Sequence, residues 1–400
     1  MARTKAKGTA RTTPTSASAS AVLSSPTRRP FNAFFTLVFL ALAAAFIWLM
    51  RVDTVLSDVP VDFLSTVEAE RFADGTPLES RYTGIGVVDD AAKFLVAAFL
   101  SGTAGWDAGI RLQQVYFLMN WFAVVCVWVV EASRRRNAGR LLSCVTLFSL
   151  IYQFVGAGII APVYCALYMY TSGGDAYYSQ GREVPIGYAR AILPAALLGY
   201  LAPTVALYYV PWGDIKTVQY MTALWQPFPV FICVLLLVLS VFLSSSPSPS
   251  AANKKDGDVR YLKIVYLVAG LVAAGVHVHT VYACVTSSDP WLTFSYVFLP
   301  NKGLWKGSMA LGLHYIFQQD FWGAYGASLF WCWLVVYDVQ RLLTGKPTLV
   351  QLVQAVLGIG FVTLVAGPGT AIVTVWNWRE DKLVMLENDS KGTSKKSKAT

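Results

Sequence analysis

Long apolar runs alternate with short polar segments along most of this 400-residue chain. An uncharged apolar run of about 20 residues is long enough to cross a bilayer as a helix. Eight runs qualify, at residues 32–50, 112–130, 141–170, 191–211, 218–243, 264–287, 308–337 and 349–376, and Asp320 alone interrupts the seventh. The pattern predicts an all-α membrane protein, a polytopic helical bundle of about eight transmembrane helices.

A ninth apolar segment, residues 85–104, is weaker. Asp89 and Asp90 lie near its start, and only a short apolar stretch follows Lys93. A segment of this kind is typical of a helix that enters the membrane only partway or lies at its surface. We therefore expect one re-entrant or interfacial helix here.

The charges divide the chain into a membrane domain and two tails. Residues 1–30 are predicted to be a disordered basic cytosolic tail, residues 31–378 the transmembrane helical domain, and residues 379–400 a disordered cytosolic tail. With eight spans and both termini cytosolic, 19 of the 32 Lys and Arg residues fall inside, as the positive-inside rule favours. This arrangement puts the acidic loop 51–111 and the polar linker 244–260 on the non-cytosolic side. Loop 51–111 is predicted to form short surface helices or a solvated loop.

The tails also bear on location in the cell. The Arg/Ser/Thr-rich start overlaps the composition of a mitochondrial transit peptide, but a disordered tail before a signal anchor is favoured because it lacks an apolar face. The last five residues, KSKAT, resemble the K-x-K-x-x retrieval signal of the endoplasmic reticulum. We expect a multi-pass endoplasmic reticulum protein.

The composition excludes several other classes of protein. Apolar residues make up 55% of the chain and charged residues 14%, whereas soluble proteins carry about 25% charged residues. The six Cys lie in apolar stretches without CxxC spacing, and no nucleic-acid motif is present. His277 and His279 lie on different helix faces, so no metal site and no cofactor are predicted. The expected partners are the bilayer and a lipophilic small molecule.

Asp320 is the main candidate for chemistry. A polar group inside a span is costly and is a functional hypothesis by default. On a helix, Phe317, Asp320, Ala324, Ala327 and Trp331 share a face. A carboxyl in hydrocarbon is held in its neutral form and can donate a proton. The alternative is a hydrogen bond that only packs two spans together.

Other polar and aromatic residues could complete such a site. The polar candidates are Asn120, Gln153, Gln319 and Asp107, which could orient the acid, hold a water or base, or contact substrate. The aromatic candidates for the wall are Tyr164, Tyr168, Phe317, Trp322 and Trp331. Aromatic faces stabilise a cation by about 0.5–2 kcal/mol each, so an acid in a dry aromatic cavity suits a carbocation reaction. Glycines 156 and 158 and Pro162 are expected to bend the third span and open a cavity.

Several stretches resemble a known family. These are residues 150–168 (LIYQFVGAGIIAPVYCALY), 317–331 (FQQDFWGAYGASLFW), 367–369 (GPG) and 376–380 (WNWRE). They are similar to fungal integral-membrane terpene cyclases of meroterpenoid gene clusters, of the macrophorin- and ascochlorin-pathway type. The resemblance covers about residues 85–380. It implies metal-independent cyclisation of a farnesylated phenol or quinol, or of its terminal epoxide.

The leading hypothesis is therefore a membrane terpene cyclase with Asp320 as general acid. A proton-coupled small-molecule transporter remains open, and so does a non-catalytic scaffold. An aromatic-walled pocket reached by Asp320 would favour the cyclase, whereas a continuous polar path would favour the transporter.

Overall fold

A computed structural model describes residues 28–244 and 256–397. These residues form helices and connecting segments, with two isolated β-bridges and no strand. The helices of the first half are α1 Asn32–Ile47, α2 Asp53–Leu56, α3 Phe63–Ala69, α4 Gly86–Thr103, α5 Ala108–Ser133, α6 Val145–Val155, α7 Ala157–Thr171 and α8 Ala176–Ser179. Those of the second half are α9 Ile186–Ala196, α10 Ala202–Tyr209, α11 Ile215–Trp225, α12 Phe228–Ser244, α13 Val259–Thr286, α14 Phe294–Phe298, α15 Met309–Thr344, α16 Leu349–Ala366 and α17 Pro368–Ser397.

The bundle has two ends, which α1 connects. Arg29, just before α1, donates from Nε to Asp338 Oδ1 at 2.8 Å. Asp53, just beyond α1, pairs with Lys302 at 2.5 Å between Nζ and Oδ2. We call the end that holds Arg29 and Asp338 the basic end, and the end that holds Asp53 and Lys302 the acidic end.

Five further crossings connect these ends. The Tyr296 hydroxyl donates to Asp107 Oδ2 at 2.7 Å, which joins the loop before α15 to the start of α5 at the acidic end. Arg182 donates to Asp258 at 3.1 Å, which joins the segment before α9 to the start of α13 at the basic end. The crossings are therefore α1, α5, the α9–α10 pair, the α11–α12 pair, α13 and α15.

Helices α6 and α7 form a hairpin that returns to the basic end. The segment before α6 touches the segment after α7: Arg136 N–H donates to Gly181 O at 3.0 Å, and the Tyr177 hydroxyl donates to Asn137 Oδ1 at 3.1 Å. The chain reverses at Gly156, whose φ of 97° is readily adopted by glycine. The turn lies inside the bundle, beside Asp320 and Gly323 in the first half of α15.

Helices α16 and α17 form a second hairpin of the same kind. Arg341, before α16, pairs with Asp175 at 2.5 Å, and Glu387 on α17 pairs with Arg182 at 3.4 Å, so both ends of the hairpin meet the segment between α7 and α9. This hairpin reverses at Gly367, where φ is 88°. The chain therefore enters the bundle twice from the basic end and returns to it.

The hairpins change the predicted topology. Runs 141–170 and 349–376 were expected to be single spans, but the contacts make each an entering and returning pair. By length and hydropathy, five helices of the described residues could cross a membrane, or six if the bent pair α11–α12 counts as one. That count includes α16, which belongs to a hairpin. It omits α15, although the contacts at its two ends show that α15 runs from one end of the bundle to the other. Eight crossings are therefore not confirmed, although each apolar run does contain helix.

Two other expectations about the chain's course are wrong. The linker 244–260 was placed with loop 51–111, but Ser244 and Asp258 both lie at the basic end; residues 245–255 lie outside the described part. A disordered tail was expected from residue 379, but α17 continues to Ser397. Arg379 and Glu380 are fully buried there because they pair with Glu131 and Arg134. The expected disorder of residues 1–27 and 398–400 also falls outside the described residues.

The outer surface suits a lipid environment. Leu37, Leu237, Leu271 and Leu357 are each at least half exposed on α1, α12, α13 and α16. On α16 no residue is buried. Exposed large apolar side chains on this many helices are typical of a protein that contacts hydrocarbon. The expected helix in segment 85–104 is present as α4, and both its ends lie toward the acidic end.

Candidate functional site

A cavity lies between the crossings, on the acidic-end side of the α6–α7 turn. Its volume is about 160 Å³, and its lining comes from the π-helical turn that follows α1 and from α3, α4, α5, α6, α7, α11 and α15 with the turns that join them. The lining is mainly apolar. The charged and amide side chains that reach it are Arg51, Gln114, Gln153 and Asp320.

Asp320 reaches the cavity from α15 and caps α7. Its Oδ1 accepts a hydrogen bond from the Gly158 N–H at 2.5 Å. Gly158 lies in the first turn of α7, where backbone N–H groups have no partner within the helix. Asp320 is 8% exposed. Because one carboxyl oxygen suffices to accept this bond, the other can carry a proton.

Close helix packing holds Asp320 in this position. A Cβ added to Gly158 would lie 2.8 Å from the Asp320 backbone oxygen and 3.1 Å from Oδ1. A Cβ added to Gly323, one turn further along α15, would lie 2.8 Å from Gly158 Cα. Only glycine allows the two backbones to approach so closely. Gly158 and Gly323 therefore allow α15 to pack closely against the tip of the hairpin beside Asp320.

Arg51 brings a positive charge to the same cavity. It lies in a π-helical turn, Trp48–Val52, that continues α1. Its Nη2 donates to Phe154 O, near the end of α6, at 2.8 Å. The Arg51 and Asp320 charges interact electrostatically. The buried acid therefore has a basic neighbour in the cavity.

Aromatic rings form much of the cavity wall. Phe317 of α15 packs edge-on against Phe99 of α4 at 4.9 Å between ring centroids. Trp121 of α5 packs edge-on against Tyr152 of α6 at 5.7 Å. The rings of Phe63, Phe94, Phe117, Phe154 and Trp225 also line the cavity. Such a wall can stabilise positive charge and exclude water.

A family model for the CtvD domain matches residues 35–385. The chain belongs to the CtvD family. The match begins within α1 and ends within α17, and it confirms the family resemblance drawn from the sequence. No solved structure matches the chain.

Curated relatives include members of two named kinds. The terpene cyclase ctvD of Aspergillus terreus is 23% identical over 79% of this chain and 90% of its own length. The terpene cyclase ascI of Acremonium egyptiacum is 25% identical over 80% of this chain and 84% of its own. The FAD-dependent monooxygenase verC1 of Penicillium polonicum is 26% identical over 65% of this chain. The chain spans about a third of the length of verC1, 31%.

In this CtvD-family chain, three candidate residues line one cavity. They are Asp320, Phe317 and Gln153. Gln153 is held in place because its Nε2 donates to Gln226 Oε1 at 3.0 Å. The expected break in the third span is also present, at Gly156 between α6 and α7.

Three aromatic candidates lie elsewhere, in a packed cluster nearer the basic end. Tyr164 and Tyr168 each contact Trp331 edge-on, at 6.0 and 4.9 Å between centroids. Trp331 packs against Trp376 at 4.3 Å, and Arg379 donates to the Tyr168 hydroxyl at 2.6 Å. All five are fully buried, and none lines the cavity. The aromatic residues predicted to form one wall therefore belong to two separate groups, the cavity lining and this cluster.

The remaining candidates have other contacts. Asn120 accepts from Gly369 N–H at 3.0 Å and so caps α17. Asp107 caps α5 by accepting from Ile110 N–H at 2.8 Å. Trp322 is 46% exposed, and Gln319 is half-buried; neither lines the cavity.

Sequence reasoning missed Arg51, Phe99, Phe117, Trp121 and Tyr152. Tyr152 and Trp121 directly adjoin Gln153 and Asn120, which were selected for polarity, so a wider search around those residues would have found them. Arg51 was assigned to a surface loop because it directly follows an apolar run. Within the described ranges, no group of three His, Cys, Asp or Glu side chains is placed to hold a metal.

Proposed function

We propose that this protein is a membrane-bound terpene cyclase that cyclises a prenylated aromatic compound, or its terminal epoxide, by protonation. The observation that carries the proposal is an acid, Asp320, at the side of an apolar, aromatic-walled cavity. Membership of the CtvD family and the terpene cyclases among the relatives support it. A mainly apolar lining suits a lipophilic chain better than the polar path that a transporter would need.

Binding places the end of the prenyl chain beside the acid. The apolar lining favours a folded hydrocarbon chain because its transfer from water contributes about 25 cal/mol per Å² of buried apolar surface. Apolar cavities of about 150 Å³ bind a six-carbon ring such as benzene. The 160 Å³ cavity therefore has room for one forming ring.

Asp320 starts the reaction as general acid. Its proton passes to the terminal double bond or to the epoxide oxygen, and the positive charge moves to carbon. The resulting carboxylate keeps its hydrogen bond from Gly158 N–H, and the positive end of the α7 helix stabilises it. General acid catalysis contributes about 10²–10⁴-fold to a rate.

The cavity wall controls the cation until the last proton leaves. The aromatic residues that line the space for the cation include Phe317, Phe117, Trp121 and Tyr152. Loss of a proton from carbon to the Asp320 carboxylate restores the acid. The product is then an isomer of the substrate, and no metal ion or cofactor takes part in these steps.

The test is conversion of defined substrates by microsomes that contain the protein. We would supply farnesylated phenols with and without a terminal epoxide, and analyse products by mass spectrometry and NMR. Substrates with an epoxide are included because a longer relative, verC1, is named as an FAD-dependent monooxygenase. A product of unchanged mass with more rings, formed equally well in EDTA, is expected. No conversion of any substrate by folded protein would contradict the proposal.

We further propose that the basic end faces the cytosol, with both termini, in the endoplasmic reticulum membrane. The acidic end carries eight of the 32 Lys and Arg residues; they are Arg51, Arg71, Arg81, Lys93, Arg111, Lys216, Lys302 and Lys306. Of the other 24, the 17 that lie in the described residues belong to segments at the basic end, as the positive-inside rule favours. The sequon at Asn388 should stay unglycosylated in microsomes, and its glycosylation would contradict this orientation.

A further inference from the structure

The turn between α6 and α7 has two charged side chains on its two helix ends. The last carbonyl groups of a helix lack partners and favour a cation, and the first N–H groups favour an anion. Arg51 donates to Phe154 O at the end of α6, and Asp320 accepts from Gly158 N–H at the start of α7. Each charge therefore lies at the helix end that stabilises it.

Arg51 reaches the turn because of the local shape of α1. The π-helical turn Trp48–Val52 adds a residue to one turn of that helix. Met50, next to Arg51, also contacts the hairpin tip: its Cε lies 2.5 Å from where a Cβ on Gly156 would be. The turn that follows α1 thus contacts the hairpin tip through Met50 and Arg51, and α15 contacts it through Asp320.

Arg51 and Asp320 act on each other without a direct contact. Among the described residues no ion pair within 4.0 Å joins them, although their charges interact and both line the cavity. A guanidinium near a carboxyl stabilises the carboxylate that remains after a proton has left. The same guanidinium is too far away to replace Gly158 as the partner of Asp320.

We propose that Arg51 is a positioning residue for Asp320, an inference that rests on the proposed function. Its bond to Phe154 O fixes the tip so that Gly158 N–H stays aimed at Asp320. Its charge stabilises the Asp320 carboxylate when the proton moves to the substrate. Arg51 itself neither gives nor takes a proton.

The test compares Arg51→Met, which removes the charge, with Arg51→Lys, which keeps it. Arg190→Met is the matched control, because Arg190 also donates to a carbonyl at a helix end, Leu243 O at 2.9 Å, but lies away from the cavity. We expect kcat to fall about 10²-fold in Arg51→Met, with KM changed less than about 3-fold. Arg51→Lys should recover most of kcat, and Arg190→Met should match the wild type.

Two further readouts separate positioning from a general loss of structure. The solvent deuterium isotope effect on kcat should be larger in Arg51→Met than in the wild type, because proton transfer becomes the slower step. Hydrogen exchange of peptides covering residues 152–160 should rise in Arg51→Met but not in Arg190→Met. Unchanged kcat, or unchanged exchange at these residues, would overturn the inference.

The exchange measurement does not depend on turnover. If the wild type converts no substrate, the proposed function fails, and exchange at residues 152–160 still decides whether Arg51 holds the tip. If the wild type is active and Arg51→Met matches it, the proposed function stands and the role of Arg51 fails.

Discussion

The two hairpin turns have the same glycine spacing and differ in the side chain that caps the second helix of each. Each has a Gly-X-Gly sequence, Gly156–Gly158 and Gly367–Gly369, with the first glycine at positive φ. In each, the N–H of the last glycine donates to a side chain of another helix: Asp320 at 2.5 Å in the first and Asn120 at 3.0 Å in the second. In each, a Cβ on that glycine would meet the backbone oxygen of the capping residue, at 2.8 and 2.7 Å.

The difference shows that capping does not require an acid. Asn120 is fully buried, and its amide also donates to Tyr116 O at 3.0 Å, so its polar groups are satisfied within the protein. Asp320 lines a cavity beside Arg51. A buried carboxyl is more costly than an amide. We infer that the first turn holds a carboxyl for its chemistry, and the second turn holds an amide for structure alone.

Asp320→Ala should have the largest effect, because it removes both the acid and the cap. We expect product formation to fall at least 10²–10⁴-fold. Leaving the buried Gly158 N–H without a partner should lower the free energy of unfolding by about 1–3 kcal/mol. Turnover in microsomes and melting of purified protein measure the two effects. Turnover within 10-fold of the wild type would refute the role of the acid.

Gly158→Ala should disturb the first turn without changing its acid. The added Cβ would press on Asp320 and cost about 1–3 kcal/mol of stability. A shift of about 1 Å in the acid should lower kcat up to about 10²-fold. Gly326→Ala is the control, since a Cβ at Gly326, also on α15, would meet nothing within 4 Å. Equal activity of the two variants would argue against the fitted contact.

Phe317→Leu tests whether the cavity wall contributes to the first turn's chemistry. Loss of a ring that stabilises a cation by about 0.5–2 kcal/mol should lower kcat about 2- to 30-fold and change the ratio of products. Phe330→Leu is matched, because Phe330 is also half-buried on α15 but packs on Phe39 at 5.2 Å, away from the cavity. The prediction fails if both variants give the wild-type rate and products.

Asn120→Ala should have the smallest effect on turnover. It removes the cap of the second turn, so the free energy of unfolding should fall by about 0.5–2 kcal/mol. Turnover per folded protein should stay within about 3-fold of the wild type, because Asn120 does not line the cavity. Melting and kinetics on one preparation measure both. A loss of turnover comparable with that of Asp320→Ala would remove the distinction between the two turns.

The sequence predicted where helices form better than it predicted which of them cross the bundle and which form hairpins. Each apolar run contains helix, but run length alone does not separate a crossing from a hairpin. Runs 141–170 and 349–376 are as apolar as the true crossings, and only Gly156 and Gly367 mark their reversal. Whether a glycine bends a helix or reverses it depends on its neighbours in space, which one sequence does not give.

The candidate site was predicted in part for a similar reason. Asp320 and Phe317 are neighbours on α15 and do share the cavity. Trp331 lies on the same face but 14 residues from Phe317, about 21 Å along a helix at 1.5 Å per residue, so it belongs to another cluster. Arg51 could not be placed because its position depends on a π-helical turn. A shared helix face indicates direction, not proximity.

The most direct test of the central claim is Asp320→Asn. Asn120 shows that an amide can cap a Gly-X-Gly turn in this protein, so the variant should fold and melt within a few degrees of the wild type. Lacking an acid proton, it should lose cyclisation at least 10²-fold. A folded Asp320→Asn protein that still cyclises its substrate at the wild-type rate would show that Asp320 is only a cap, like Asn120.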